Sequence, residues 1–305
     1  GNDSNANSVT HQNNDNGTMS LGTGTIRFEN GSMDSQTVQV TDADGTNSEN
    51  INRLPNVTVA GGAGLTIDGD NTTAGGRNPV AEGNAILIGG DLTTNADVVL
   101  TTTNGGASIG AELDVNGSTT NITGVSSTTE ANDVTLDNSG TLNMDGTRLN
   151  VTRNFARNSG NAMLQTNSTS TLAFTGDGVD GSFGTETLFT IEGEVLVDKT
   201  EAVLSVDEAF RVRGDLTIAD QGQFNETTLQ LGDNVFLTGA SAGSGTLTVN
   251  STLEAEDGVF LVFENNGYNV QGDDALDDVI VDLTDNINNA GGGVADATND
   301  AINIT

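Results

Sequence analysis

The residues best equipped for chemistry in this chain are carboxylates set on glycine-containing turns. Asp42-Ala43-Asp44-Gly45-Thr46-Asn47-Ser48-Glu49 gathers several oxygen donors around one glycine, the donor type that hard cations such as Ca2+ take. Asp68-Gly69-Asp70-Asn71 and Asp177-Gly178-Val179-Asp180 are shorter fragments of the same kind. The first cluster is not an EF-hand loop, because Gly45 comes too early and no glutamate closes the loop at the right distance. The candidate calcium ligands are therefore Asp42, Asp44, Glu49, Asp68, Asp70, Asp177 and Asp180. The plainer account of each cluster is a solvated acidic turn.

A second chemistry is offered by Asn-x-Ser/Thr triplets, which accept glycans on secreted proteins. They occur at Asn16, Asn30, Asn56, Asn71, Asn116, Asn121, Asn150, Asn167, Asn225 and Asn250. A chain so rich in Asn, Ser and Thr makes such triplets by chance. Turn asparagines can instead hydrogen-bond from one coil to the next in a stacked fold.

Catalytic constellations are sparse. The single histidine, His11, lies in a polar N-terminal stretch, so a Ser-His-Asp triad has no ordered base. Paired carboxylates, which glycoside hydrolysis requires, are plentiful, but the Lys, Arg and aromatic side chains that hold a sugar are not. A groove lined by Asp with Arg211 or Arg213 would mark such a site; local charge balance explains that arginine pair more simply. Neither His11 nor Lys199, the sole lysine, has a nucleophile or ligand spacing around it, and both are expected to be dispensable. The expectation is a protein that is not an enzyme, with a polysaccharide-binding or polysaccharide-cleaving β-helix as the alternative.

Charge narrows the partners. The 305 residues carry 9 basic and 43 acidic side chains, a formal net charge of −34. Nucleic-acid binding rests on Lys and Arg neutralising phosphates, and anionic membranes repel the same sign. Self-repulsion of this size opposes compaction unless ions screen it, as at about 1 M salt, where the Debye length is roughly 3 Å. Acid-rich, lysine-poor chains resemble those of halophiles. With no cysteine, neither disulfides nor zinc–thiolate sites are available. No run of 18 apolar residues is present to insert in a membrane. The opening Gly1-Asn2-Asp3-Ser4 lacks the marks of a signal peptide, so a mature or internal piece of an extracellular protein is expected.

The elements that must position these residues are short strands. Thr25-Ile26-Arg27-Phe28, Val38-Gln39-Val40, Val57-Thr58-Val59, Leu65-Thr66-Ile67, Leu216-Thr217-Ile218 and Leu229-Gln230-Leu231 set apolar residues at every second position, which faces them to one side of a strand. Gly, Asn and Asp clusters separate them as turn residues do. Residues 1–18 are polar and expected as a tail, followed by a β-repeat region over 19–305. Strands ending in Phe28, Phe174 and Phe263, with Gly90-Asp91-Leu92-Thr93 matching Gly214-Asp215-Leu216-Thr217, suggest three degenerate copies, about 22–167, 168–256 and 257–305. The fold class is all-β: a parallel β-solenoid, whose coils stack so that like residues form ladders. The alternative is an array of antiparallel β-sandwiches, which more often anchor on Trp or Tyr; this chain has no Trp and one Tyr.

Gly140-Thr141-Leu142-Asn143-Met144 and Gly245-Thr246-Leu247-Thr248-Val249 share a G-T-L-x-(M/V) form. In this the chain resembles the β-solenoid repeat regions of large secreted bacterial adhesins, of haemagglutinin-like and Bacteroidota type, most closely over Thr187 to Asn250. The resemblance implies a stacked fold at a cell surface. The expected function is that of an extracellular structural or adhesive protein: a filament, stalk or surface-layer subunit. Its expected partners are further copies of itself and extracellular polysaccharide. The terminal Ile302/Ile304 alternation reads as a strand awaiting a partner from another subunit.

Overall fold

Alternation of apolar and polar residues commits each short segment to a strand with one buried face, and parallel stacking then requires like residues above and below. The computed structural model describes residues 8–13, 25–28, 36–42, 53–54, 56–60, 65–70, 84–103, 106–123, 128–185, 188–219, 227–233, 235–237, 245–249, 252–255, 259, 261–263, 268–272 and 287–289. Among them there is no helix, and so none long and apolar enough to cross a membrane. The strands pair in parallel as the coils of a β-solenoid. The antiparallel sandwich alternative is therefore excluded. The chain divides into two compact units: Gly1–Leu149 with Asn161–Gln165, and Asn150–Gly160 with Thr166–Thr305.

In the first unit one ladder runs through Ser8–Asn13, Gln36–Asp42, Leu65–Asp70, Val98–Thr103, Thr119–Thr123, Thr141–Asn143 and Met163–Gln165. Residues 8–13, within the stretch expected as a tail, thus form a strand that carries His11 opposite Val40. A second ladder stacks Thr25–Phe28, Asn56–Val59, Leu92–Thr94 and the C-terminal halves of Gly106–Asn116 and Thr128–Asp137. A third stacks Arg53–Leu54, Asn84–Ile88 and the N-terminal halves of those two long strands. Inward rows such as Val57/Leu92/Leu113/Val134 are fully buried. At about 25 cal/mol per Å2, such apolar rows supply most of the driving force for stacking.

The second unit repeats the scheme with different filling. Its ladders are Thr171–Asp177, Glu194–Thr200, Leu216–Ile218, Gly245–Val249 and Tyr268–Gly272; then Asn154–Arg157, Gly181–Thr185, Ala202–Val206, Thr227–Leu231 and Thr252–Ala255. The third comprises Phe189–Ile191, Phe210–Val212, Val235–Leu237, Leu261–Phe263 and Ile287–Asn289. Nine of the ten phenylalanines, all but Phe28, belong to this unit. Phe155, Phe174, Phe183, Phe189 and Phe210 form one buried cluster, with ring centroids 4.8 to 6.2 Å apart in the contacting pairs.

The structural period is one coil. Leu92 lies beside Leu113 and Leu113 beside Val134, a step of 21 residues. The three Phe-ended strands of the sequence reading, Thr25–Phe28, Thr171–Asp177 and Leu261–Phe263, lie in different ladders. The two Gly-Asp-Leu-Thr stretches likewise open strands of different ladders. The glycine of the G-T-L form has a steric cause: a Cβ on Gly140 would lie 2.2 Å from the Val115 carbonyl oxygen of the preceding coil.

Candidate functional site: the outward acidic face

Three successive coils of the first unit carry matching outward residues. Asp91-Leu92-Thr93-Thr94-Asn95, Glu112-Leu113-Asp114-Val115-Asn116 and Asp133-Val134-Thr135-Leu136-Asp137 recur at 21-residue intervals. Pairing in register stacks Thr93 beside Asp114 and Asp114 beside Thr135, while Glu112 faces Asp133 and Asn116 faces Asp137. Alternation turns Leu92, Leu113 and Val134 inward and leaves the acids and amides on the outer face.

Side-chain bonds knit this face across coils. The Glu112 N–H donates to Asp91 Oδ1 at 3.3 Å, and the Thr135 hydroxyl donates to Glu112 Oε1. Asn116 Nδ2 donates to Asn95 Oδ1 at 3.0 Å, and Asn138 Nδ2 donates in turn to Asn116 Oδ1. A separate pair joins Asn143 Nδ2 to Asn121 Oδ1 at 3.1 Å. Asp114 sits amid the acids. Partial burial, then the negative charges of Asp137, Glu112 and Asp91, push its pKa up to about 6. Its Oδ1 is buried and accepts no hydrogen bond from the described residues. A carboxylate so placed favours either a proton or a counter-charge.

Of the calcium candidates, Asp42 ends a strand opposite Asn13. Asp68 and Asp70 lie in the neighbouring rung, opposite Gln39 and Thr41. Asp44 and Glu49 fall outside the described residues. Asp177 and Asp180 belong to the second unit, where both are exposed; Asp180 Oδ1 accepts the Val203 N–H at 2.9 Å. Among the described residues, no group of three or more His, Cys, Asp or Glu is placed to hold a metal ion.

Of the sequons, Asn16, Asn30, Asn71, Asn225 and Asn250 also fall outside the described residues. The amides of Asn116 and Asn121 serve the ladders above. Asn56 Oδ1 accepts the Asp91 N–H at 3.1 Å, and Asn150 is half-buried in its strand. Asn167 closes a turn, its Oδ1 accepting the Thr169 N–H at 2.9 Å and the Thr169 and Ser170 hydroxyls.

The cations singled out in the sequence, Lys199, Arg211 and Arg213, lie in the second unit. Arg213 pairs with Glu192 at 2.9 Å, both side chains largely exposed, and Arg211 stacks over the Phe236 ring at 5.5 Å. Arg213 is thus a matter of local charge balance. Lys199 is fully buried, which sequence reading did not anticipate. Its Nζ donates to the carbonyl oxygens of Thr152 at 2.8 Å and Thr175 at 3.1 Å, residues 47 and 24 positions earlier. The side chain therefore runs along the stack and satisfies carbonyls of two preceding coils. Room exists because the residue beside Lys199 is Gly176, and because a Cβ on nearby Gly181 would lie 2.1 Å from Arg153 O and 3.4 Å from Nζ. Burial lowers the pKa of Lys199, with Asp180 acting in the opposite direction.

Fold and site together define a parallel β-solenoid whose outward chemistry is organised in rows. Compared with known proteins, the chain matches no family model, no curated protein and no solved structure.

Proposed function

We propose that the protein is an extracellular structural or adhesive component of a cell surface, a stalk, filament or surface-layer subunit that works by repetition. The observation that supports this most is the recurrence of outward rows, Asp91/Glu112/Asp133 and Asn95/Asn116/Asn138, on successive coils. Rows of this kind present the same weak contact many times, and avidity then multiplies it. Cations, Ca2+ among them, screen the acidic rows and lower the repulsion between neighbouring copies of a chain with net charge −34. Partners are further copies of the chain and extracellular polysaccharide.

The test is deletion of the protein from the producing cell, followed by adhesion and surface imaging. Loss of attachment or of a surface structure, restored by adding back the full chain, supports the reading. Unchanged attachment and an unchanged surface would remove it.

A further inference from the structure

The acids of the first unit are unevenly placed: they stop short of four successive rungs of one ladder. On the ladder that runs through Val98–Thr103, Thr119–Thr123, Thr141–Asn143 and Met163–Gln165, buried Val98, Leu100, Thr120, Ile122, Leu142 and Leu164 alternate with outward residues. One outward row is Val99/Asn121/Asn143/Gln165, and the next is Thr119/Thr141/Met163. Every one of these seven side chains is uncharged and at least partly exposed. The bounding acids stand at its margin: Asp97 at a corner, where its Oδ1 accepts the Thr119 N–H at 3.0 Å, and Asp68, one rung below, opposite Thr101. The same coils carry Asp91, Glu112, Asp114, Asp133 and Asp137 on a different ladder. In a chain of net charge −34, an uncharged face across four rungs is a departure from the average surface.

We infer that this face binds a neutral, linear polysaccharide laid along the stack; this rests on the adhesive reading above and names its partner. Three observations select that occupant. First, the face offers hydroxyls and amides. Asn143 and Asn121 spend one N–H and one lone pair on each other, and each amide keeps further donor and acceptor capacity. Second, the groups recur at the strand spacing of about 4.8 Å, so a polymer of similar unit length meets like groups rung after rung. Third, charge sorts the alternatives. A polyanion is repelled by the flanking acids, and a polycation is drawn to the acidic ladder instead. A second copy brings its own negative charge, and the face offers it only Val99 and Met163 as outward apolar contacts, whereas interfaces between chains centre on an apolar core.

The experiment is co-sedimentation of the full chain with microcrystalline cellulose, insoluble 1,3-glucan and, as the anionic control, calcium-gelled polygalacturonate. Wild type is expected to sediment with at least one neutral polymer and to stay in solution with the anionic one. Thr141→Arg and Gln165→Arg each place a bulky charge on the face and are expected to weaken retention at least tenfold. Glu208→Arg, at an exposed position of the second unit, is expected to leave it unchanged. Thermal midpoints by circular dichroism verify folding, and Gln165, at the exposed margin, serves if Thr141→Arg fails to fold. Wild type that binds none of the neutral polymers, or binds the gel equally well, overturns the inference. Retention unaffected by either face variant overturns it too, as does self-association abolished by Thr141→Arg, which assigns the face to a second copy. Loss of adhesion on deletion of the protein, without binding to neutral polymer, leaves the adhesive reading standing and removes this partner alone.

Discussion

The ladder through Val98–Thr103 in the first unit and the ladder through Phe189–Ile191 in the second are filled differently. In the first unit, Val98, Thr120, Leu142 and Leu164 line the inside of the wall that ladder forms. In the adjoining ladder Thr94 stands where its neighbours are Val59 and Val115. The two polar intruders find each other: the hydroxyls of Thr94 and Thr120 meet at 2.9 Å, both residues fully buried. In the second unit the corresponding wall is Phe189, Phe210, Val235 and Leu261, and one of the polar residues buried in that unit, Lys199 on a neighbouring ladder, is bound to two backbone carbonyls. A solenoid asks only that each inward side chain suit the one above and the one below. A polar group left unpaired inside costs about 1–3 kcal/mol, a cost that pairing across rungs removes for Thr94, Thr120 and Lys199.

Breaking the aromatic side of this comparison should have the largest effect. Phe183 touches Phe155, Phe174, Phe189 and Phe210, so Phe183→Ala should cost about 3–5 kcal/mol. Hydrogen exchange should show protection lost across the second unit, and denaturant unfolding supplies the energy. A loss below about 1 kcal/mol would mean that the aromatic cluster, which draws on all three ladders of the second unit, is not what holds its interior together.

Lys199 comes next. Lys199→Ala leaves the carbonyls of Thr152 and Thr175 without this donor, and about 2–3 kcal/mol should be lost. Lys199→Met restores volume but not the donor and should recover part of that loss. Since burying a charge can cost more than it returns, the informative failure is a methionine variant more stable than wild type. That outcome would reduce the lysine to a tolerated charge.

On the hydroxyl-and-amide side the expected effects are smaller. Asp114 titrates near 6 when folded, against an ordinary aspartate value of 3.8. A carboxylate with a raised folded pKa penalises the fold above that pKa, and the penalty fades as pH falls from about 6 toward 4. Asp114→Asn should therefore stabilise the first unit by about 1 kcal/mol at pH 8, after allowing for solvent screening, and by nothing at pH 4. Equal gains at both pH values would show that charge is not the cause. Asn116→Ala interrupts the amide ladder between Asn95 and Asn138 and should cost about 0.5–1.5 kcal/mol, measured by thermal unfolding in the same buffer.

Strand identity was legible because period-two alternation needs only local residues: Leu216-Thr217-Ile218 and Leu229-Gln230-Leu231 are strands as read. Parallel stacking was legible from short strands and from the absence of Trp and the single Tyr. The repeat length was harder to see, because coils differ in length. Ile26 to Val57 spans 31 residues, but Leu92 to Leu113 spans 21. The acidic face did leave a signal, the spacing of Asp91, Glu112 and Asp133, but residues 21 positions apart come together only once the coils stack. Lys199 could not be found by composition, since only the fold turns it inward. Its place after Val195 and Val197, in the same alternating phase, was the one available hint.

We propose that these rows act at a cell surface. The most direct measurement is immunolabelling of intact producing cells with antibodies raised against the folded full chain. The account predicts labelling without permeabilisation, removed by brief external protease treatment. Labelling that appears only after the cells are opened would contradict it.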